Sequence, residues 1–458
     1  MTGIALIISF ILAILMMIFM IAKLKVHPFL ALMSISLALA LLAGIPLTKI
    51  PSMIGAGFSG TFKSIGIVII FGAIIGMVLE KTGAALKLAD IVVKLVGQKR
   101  PELAMLIMGW VVGIPVFCDS GFVVLNPIRE AIQKKIAANP VGTAVALSAG
   151  LYAAHVFIPP TPGPIAVAGG LGLEHNLLLV ILMGITVSIP VLIASYLFAK
   201  FIGKRVILQD ETNDELIAQG YEALLQKYGT LPNGFLSFAP IFVPIILMAL
   251  GSITKISGTT GDIANFILFL GNPIIALGVG LIFAIILIFQ CGKIKTFETL
   301  TNDTLKLVGP ILFITAAGGV LGKVIVEAGF VEYIKENAHI ISSAGIFFPF
   351  IISAILKTAQ GSSTVAMITT AAIMGMFNVD DSLMNALGLT SEIAAALTVM
   401  AIAAGAMCVS HANDSYYWVV TNFSKMTAQQ GYRTQTALTF IMGIVGISTV
   451  YVLSLVLL

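Results

Sequence analysis

Apolar runs of bilayer length follow one another along this chain, and polar residues break them at four places. A helix needs about 20 mostly apolar residues to cross the hydrocarbon core. Residues 4–22, 28–44, 64–79 and 176–201 read as such runs in the first half. Residues 235–251, 273–289, 308–324 and 435–457 repeat the list in the second. Between them stand the four exceptions. Val116-Phe117-Cys118-Asp119-Ser120-Gly121-Phe122 and His155-Val156-Phe157-Ile158-Pro159-Pro160-Thr161-Pro162-Gly163-Pro164 lie in the first half. Lys357-Thr358-Ala359-Gln360-Gly361-Ser362-Ser363-Thr364 and Ser410-His411-Ala412-Asn413-Asp414-Ser415 lie in the second. Backbone unwinds at membrane depth only where protein buries it or a wet cavity receives its N–H and C=O groups. Matched breaks in two halves therefore point to a solute site of the kind found in secondary transporters.

Composition closes off other classes. The chain is 59% hydrophobic and 10% charged, where soluble domains carry about 25% charged residues. A net charge of +4 over 458 residues makes no basic surface for nucleic acid. Cys118, Cys291 and Cys408 are too few for a disulfide framework, and Cys118 and Cys408 read as small packing residues beside the breaks. The first apolar run has no basic residue before it, while Lys23 and Lys25 follow it. A signal peptide has the opposite charge order, so this run reads as a permanent span with its amino end outside.

The halves align in order. His27-Pro28-Phe29 matches Asn272-Pro273-Ile274 at a shift of 245, and Gly72, Gly76 and Gly83 match Gly318, Gly322 and Gly329 at 246. Ser120 and Val123 match Ser362 and Val365 at 242, and His155 matches His411 at 256. This predicts an all-α polytopic membrane protein of two repeats. Residues 1–203 form the first, with a re-entrant hairpin at 102–133 and a broken helix at 141–171. Residues 204–233 form a cytoplasmic linker, with a surface helix starting near Gln209. Residues 234–458 form the second, with a hairpin at 342–376 and a broken helix at 392–420. Five crossings per repeat, an odd number, invert the second copy. The positive-inside rule agrees: with both termini outside, most of the 25 basic residues fall in inside loops. Residues 86–95 and 331–335 read as short interfacial helices.

Each break carries candidate chemistry. Asp119 is a carboxylate at membrane depth, expected to face a cavity and to act. It is the favoured proton carrier, with a helix cap as the plain alternative. Ser120 and Gly121 complete that tip. His155 is a proton carrier or a neutral bonding group. Pro160, Pro162 and Pro164 forbid helix before them, Gly163 frees the turn, and Thr161 adds a hydroxyl. Gln360, Gly361, Ser362, Ser363 and Thr364 offer an amide, hydroxyls and a following helix N-terminus suited to an anion. His411, Asn413, Asp414 and Ser415 form the densest polar cluster, with Asp414 and His411 next in line for the proton. Tyr416, Tyr417 and Trp418 read as packing and interfacial anchors. Lys357 either counters a solute carboxylate or snorkels to the surface.

At these four sites the chain resembles the gluconate permease family (GntP-type), within the larger ion transporter superfamily. The matching stretches are Pro115-Val116-Phe117-Cys118-Asp119-Ser120-Gly121-Phe122-Val123-Val124-Leu125, Pro159-Pro160-Thr161-Pro162-Gly163-Pro164, Gln360-Gly361-Ser362-Ser363-Thr364-Val365-Ala366 and His411-Ala412-Asn413-Asp414-Ser415-Tyr416-Tyr417-Trp418. The resemblance implies proton-coupled uptake of gluconate or a related small hydroxy-carboxylate, with no cofactor. It also implies a bacterial inner-membrane location, a scaffold and a transport domain, elevator-like movement and a homodimer. Many members carry Phe-Phe-Glu where this chain has Phe117-Cys118-Asp119. The carboxylate is kept on a shorter side chain, and glycerate or D-serine is an alternative solute. A sodium-coupled carboxylate symporter is the nearest rival, since unwound backbone, Asn413 and Ser362 also suit Na⁺. An intramembrane hydrolase using Ser362 or Ser363 with His411 is the rival of another class. A metal site from Asp119, His155, His411 and Asp414 lacks ligand spacing.

Overall fold

The computed structural model describes residues 4–97, 100–135, 138–206, 208, 231–329, 345–412 and 414–458. The linker helix expected from Gln209, the short helix expected at 331–335 and Asn413 lie outside the described residues. Every regular element among the described residues is a helix.

The first half runs α1 (Ile4–Ala22), α2 (Pro28–Leu42), α3 (Ile50–Thr61), α4 (Ile67–Thr82), α5 (Ala84–Val96), α6 (Pro101–Gly113), α7 (Cys118–Lys135), α8 (Pro140–Phe157), α9 (Pro162–Gly170) and α10 (Leu177–Gly203). The second runs α11 (Gly234–Ile256), α12 (Asp262–Gly271), α13 (Pro273–Gln290), α14 (Phe297–Glu327), α15 (Phe347–Gln360), α16 (Ser363–Met374), α17 (Leu383–Ala386), α18 (Glu392–Met407), α19 (Ser415–Phe423), α20 (Ala428–Gly431) and α21 (Ala437–Leu457). Six helical segments among the described residues are long and apolar enough to cross a bilayer, with α8 and α9 counted as one. That is fewer than the runs in the sequence suggest, because several runs fold as helices of 10–17 residues. Pairs α6/α7 and α15/α16 are each joined by a short connection and pack against each other. At Gly83 (φ +81°) α5 turns away from α4 by 77°.

Capping chemistry explains where the central helices begin. Asn139 accepts from Gly142 N–H and Pro140 opens α8, the side-chain cap and first-turn proline that suit a helix start. Ser391 accepts from Ala394 N–H at the start of α18. These two helices form the centre: α8 is buried from Val141 to Phe157, and α18 from Ala394 to Met407. Both are rich in Ala and Gly. Lipid tails are as apolar as Leu, so helices in a bilayer gain by close backbone approach through small residues. A methyl added to Gly150 would strike the Leu106 carbonyl of α6, and one on Gly405 would strike Phe350 of α15.

Helices α1–α4 and α11–α14 pack among themselves, as do α6–α10 with α15, α16, α18 and α21. Where the sets meet, Gly57, Gly318 and Gly322 of α3 and α14 face Gly170, Ala371 and Ala372 of α9 and α16, around a groove of ≈ 200 Å³. Large apolar side chains cover outward faces, among them Phe235, Ile253, Ile263 and Phe266. On a chain of this hydropathy such faces suit acyl chains.

Candidate functional site

A cavity of ≈ 260 Å³ lies where the breaks converge. Its walls are Cys118 and Asp119, Tyr152 and His155, Gly361 to Thr364, and Asp414 to Tyr416. Three helix N-termini therefore meet there, those of α7, α16 and α19, opposite the last turns of α8. Ser415 is exposed and Asp119, Ser362, Ser363 and Thr364 are half-buried, so the cavity is open on one side.

The tip between α15 and α16 owes its shape to Gly361. Its φ of +91° ends α15 in the left-handed region, which glycine enters without steric cost. Ser362 then accepts from Val365 N–H and starts α16. Ser363 Oγ lies 2.6 Å from Tyr152 Oη, which also donates to the Ala406 carbonyl. Tyr416 donates to the Ser148 carbonyl at 3.0 Å and packs against Tyr152 with ring centroids 5.2 Å apart. The cavity floor is thus a buried aromatic pair fixed by hydrogen bonds.

Asp414 caps α19 by accepting from Tyr416 N–H at 3.1 Å. Its other oxygen accepts from Ser410 Oγ and from Lys357 Nζ, the latter at 2.6 Å. Lys357 has no exposed surface and also donates to the Gly361 carbonyl. It neither faces the cavity nor reaches the surface, so both sequence readings of it give way to an internal ion pair. Asp119 differs. Among the described residues no cation pairs with it, and its one side-chain neighbour within hydrogen-bond range is Ser415 Oγ at 3.5 Å. His155 is 8% exposed, and its Nδ1 has no hydrogen-bond partner among the described residues. Its ring leans on Phe117 at 5.8 Å.

The remaining candidates sit elsewhere. Thr161 is buried and donates to the carbonyls of His155 and Ile158, both at 2.8 Å. It staples the α8–α9 break and, with Pro162 and Gly163, stays out of the cavity wall. Ser120 and Gly121 also lie outside the wall. His411 Nε2 lies 3.0 Å from the Thr358 carbonyl, so its ring is engaged by α15. Three wall residues, Cys118, Tyr152 and Tyr416, were not among the sequence candidates. Tyr152 was within reach: it stands three residues before His155 and shares its helix face.

A family model described as GntP family permease matches residues 5–456. The inner membrane permease YgbN of Escherichia coli is 31% identical over 94% of this chain and 95% of its own. A gluconate permease of Bacillus subtilis is 30% identical over 97% and 98%. Among solved structures, the YdaH transporter of Alcanivorax borkumensis aligns with a TM-score of 0.66 at 13% identity, covering 94% of this chain and 99% of that one. At that identity the likeness is one of fold.

Proposed function

The chain belongs to the GntP family of permeases, and on that premise we propose that it carries gluconate or a related small hydroxy-carboxylate across the inner membrane together with a proton. It is a permease and not an enzyme. The hydroxyl of Ser363 pairs with Tyr152 and the ring of His411 with a backbone carbonyl, so neither residue is set up as half of a nucleophile and base.

One observation carries the proposal: among the described residues, a single carboxylate without a cation partner, Asp119, shares a cavity with three helix N-termini and a row of hydroxyls. Helix N-termini present N–H groups and positive partial charge, which suit a carboxylate without any arginine. Ser362, Ser363, Thr364 and Ser415 suit the solute's hydroxyls, and His155 Nδ1 adds a hydrogen-bonding atom with no partner among the described residues. The cavity, at ≈ 260 Å³, falls below the roughly 300–1,000 Å³ of drug-sized sites, as a small solute requires. Lys357 already cancels the charge of Asp414. A solute anion therefore meets one fixed negative charge, that of Asp119. At about 5 Å and an effective dielectric near 20, two like charges repel by ~3 kcal/mol. A proton on Asp119 removes that repulsion, so anion and proton load together.

Two inverted copies, residues 1–203 and 234–458, then place one tip and one broken span each around the solute. The set α6–α10, α15, α16, α18, α19 and α21 is the moving transport domain, and α1–α4 with α11–α14 the scaffold. The glycine-lined groove between them supports sliding of the elevator kind. Both termini lie on the outer face, and the working unit is a homodimer. Proteoliposomes loaded with an alkaline interior are expected to accumulate labelled gluconate, and a sodium gradient at equal pH is expected to drive none. Accumulation under sodium alone would sink the proton reading and leave the permease reading standing.

A further inference from the structure

We propose that Lys357 is a tethered cation: its ammonium fills a site that would otherwise bind a free monovalent metal ion, and this makes the protein indifferent to sodium.

The surroundings of Lys357 Nζ are those of a cation site. The Gly361 carbonyl comes from backbone that leaves helical geometry at the α15–α16 tip. Asp414 Oδ2, at 2.6 Å, comes from the break before α19. The face of the Tyr152 ring lies 5.9 Å away, on α8. A carbonyl at a helix C-terminus, a carboxylate and an aromatic face each offer negative charge or partial charge to a cation. Hard metal cations take oxygen ligands of the first two kinds, and transporters assemble them from unwound backbone and half-helix C-terminal ends. Here the end of α15 supplies one ligand of the site as well as its occupant, because Lys357 and Gly361 are one helical turn apart.

An ordinary structural ion pair is the competing account, and its geometry gives a reason to look further. The pair is wholly buried, with side-chain exposures of 0% and 7%. Burying two charges costs about as much as their attraction returns, so stability alone is a poor reason for such a pair. This one ties the tip of one helix pair to the break of another at the cavity wall, where a transporter holds a coupling ion. The inference deepens the proton-coupled reading and rests on it for its meaning in transport. With the cation position occupied by the protein itself, Asp119 is left as the group that exchanges an ion with water.

The test needs no solute, so its failure is separate from any failure of the transport reading. The thermal midpoint of the purified full-length protein is measured in sodium, lithium, potassium and choline chloride at one ionic strength. The wild type is expected to give one midpoint in all four. Lys357→Ala is expected to melt lower in choline and to recover by several degrees, saturably, in sodium or lithium, because a ion that binds only the folded state stabilises it. Methylammonium should also restore it. Lys357→Gln, which keeps the side-chain volume, should respond to sodium in the same direction. Adding Asp414→Asn to Lys357→Ala should abolish the response. If the single variants fold only when prepared in sodium, that is the same response. Single variants that treat all four salts alike, or that fail to fold in sodium as in choline, would overturn the inference. So would a saturable sodium effect on the wild type.

Discussion

On the second-half side of the cavity, Lys357, Asp414, Ser410 and the Tyr416 N–H form a closed set of hydrogen bonds. On the first-half side, Asp119 has one distant hydroxyl neighbour and His155 Nδ1 has none among the described residues. Under the shifts proposed for the two repeats, Lys357 would stand opposite Pro115 and Asp414 opposite Ile158, and the ion pair would have no counterpart in the first half. The contrast separates two tasks that a pair of carboxylates in one cavity would otherwise share. The charge on Asp414 is matched by an internal partner while its carboxylate caps α19, and Asp119 has no cation beside it among the described residues.

The sharpest way to break this contrast is to disturb the closed side. Asp414→Ala leaves the Lys357 ammonium buried without its partner and removes the cap of α19. Losing one member of a buried pair costs about 3–5 kcal/mol, a large part of the stability of any domain. The thermal midpoint should fall steeply and transport should vanish with it. If Asp414→Ala melted near the wild type, the closed set would not be structural. Disturbing the open side should do the reverse. Asp119→Asn is isosteric and leaves no cation unpaired, so the midpoint should barely move. Accumulation driven by a pH gradient should drop to equilibration, while exchange of labelled for unlabelled solute continues. Unchanged pH-driven accumulation would remove Asp119 from coupling.

The difference between the sides also marks how far the sequence could be read. Apolar runs and polar interruptions located the four breaks, because both follow from what a bilayer permits. α1 coincides with the run at 4–22. α14 begins at Phe297 and not near Val308, since Glu298, Asn302, Asp303 and Lys306 hide its first turns from a hydropathy reading. α3, rich in Gly and Ser, and α12, only 10 residues long, carry too weak an apolar signal to be noticed. Among site residues, Asp119, Ser362, Ser363, Thr364 and Asp414 stand out as polar groups in apolar company, and all five line the cavity. What each side chain bonds to was out of reach. Lys357 meets Asp414 across 57 residues, and Thr161 turns back on the break it belongs to. Such choices depend on which helices come together, and residue type does not fix them.

Smaller changes sharpen the comparison within the open side. His155→Ala removes a ring whose Nδ1 has no hydrogen-bond partner among the described residues. If that atom serves the solute, KM should rise by about tenfold, the equivalent of one hydrogen bond at ~1.4 kcal/mol, with little change in the midpoint. A variant with wild-type KM would return His155 to packing against Phe117.

Thr161→Val should have the least effect on solute recognition. The hydroxyl of Thr161 is taken up by two carbonyls of the α8–α9 break, and valine keeps its shape. Losing those bonds leaves two buried acceptors and costs about 1–3 kcal/mol, visible as a lower midpoint. The affinity for solute should stay within about twofold, because Thr161 is absent from the cavity wall. Tyr152→Phe lies between these cases: it removes the bond to Ser363 while leaving the ring under Lys357. A several-fold rise in KM is expected, since Ser363 then loses the partner that orients it toward the cavity. If Thr161→Val weakened binding more than Tyr152→Phe, the solute would sit deeper in the break, and the wall described here would not be the one it meets.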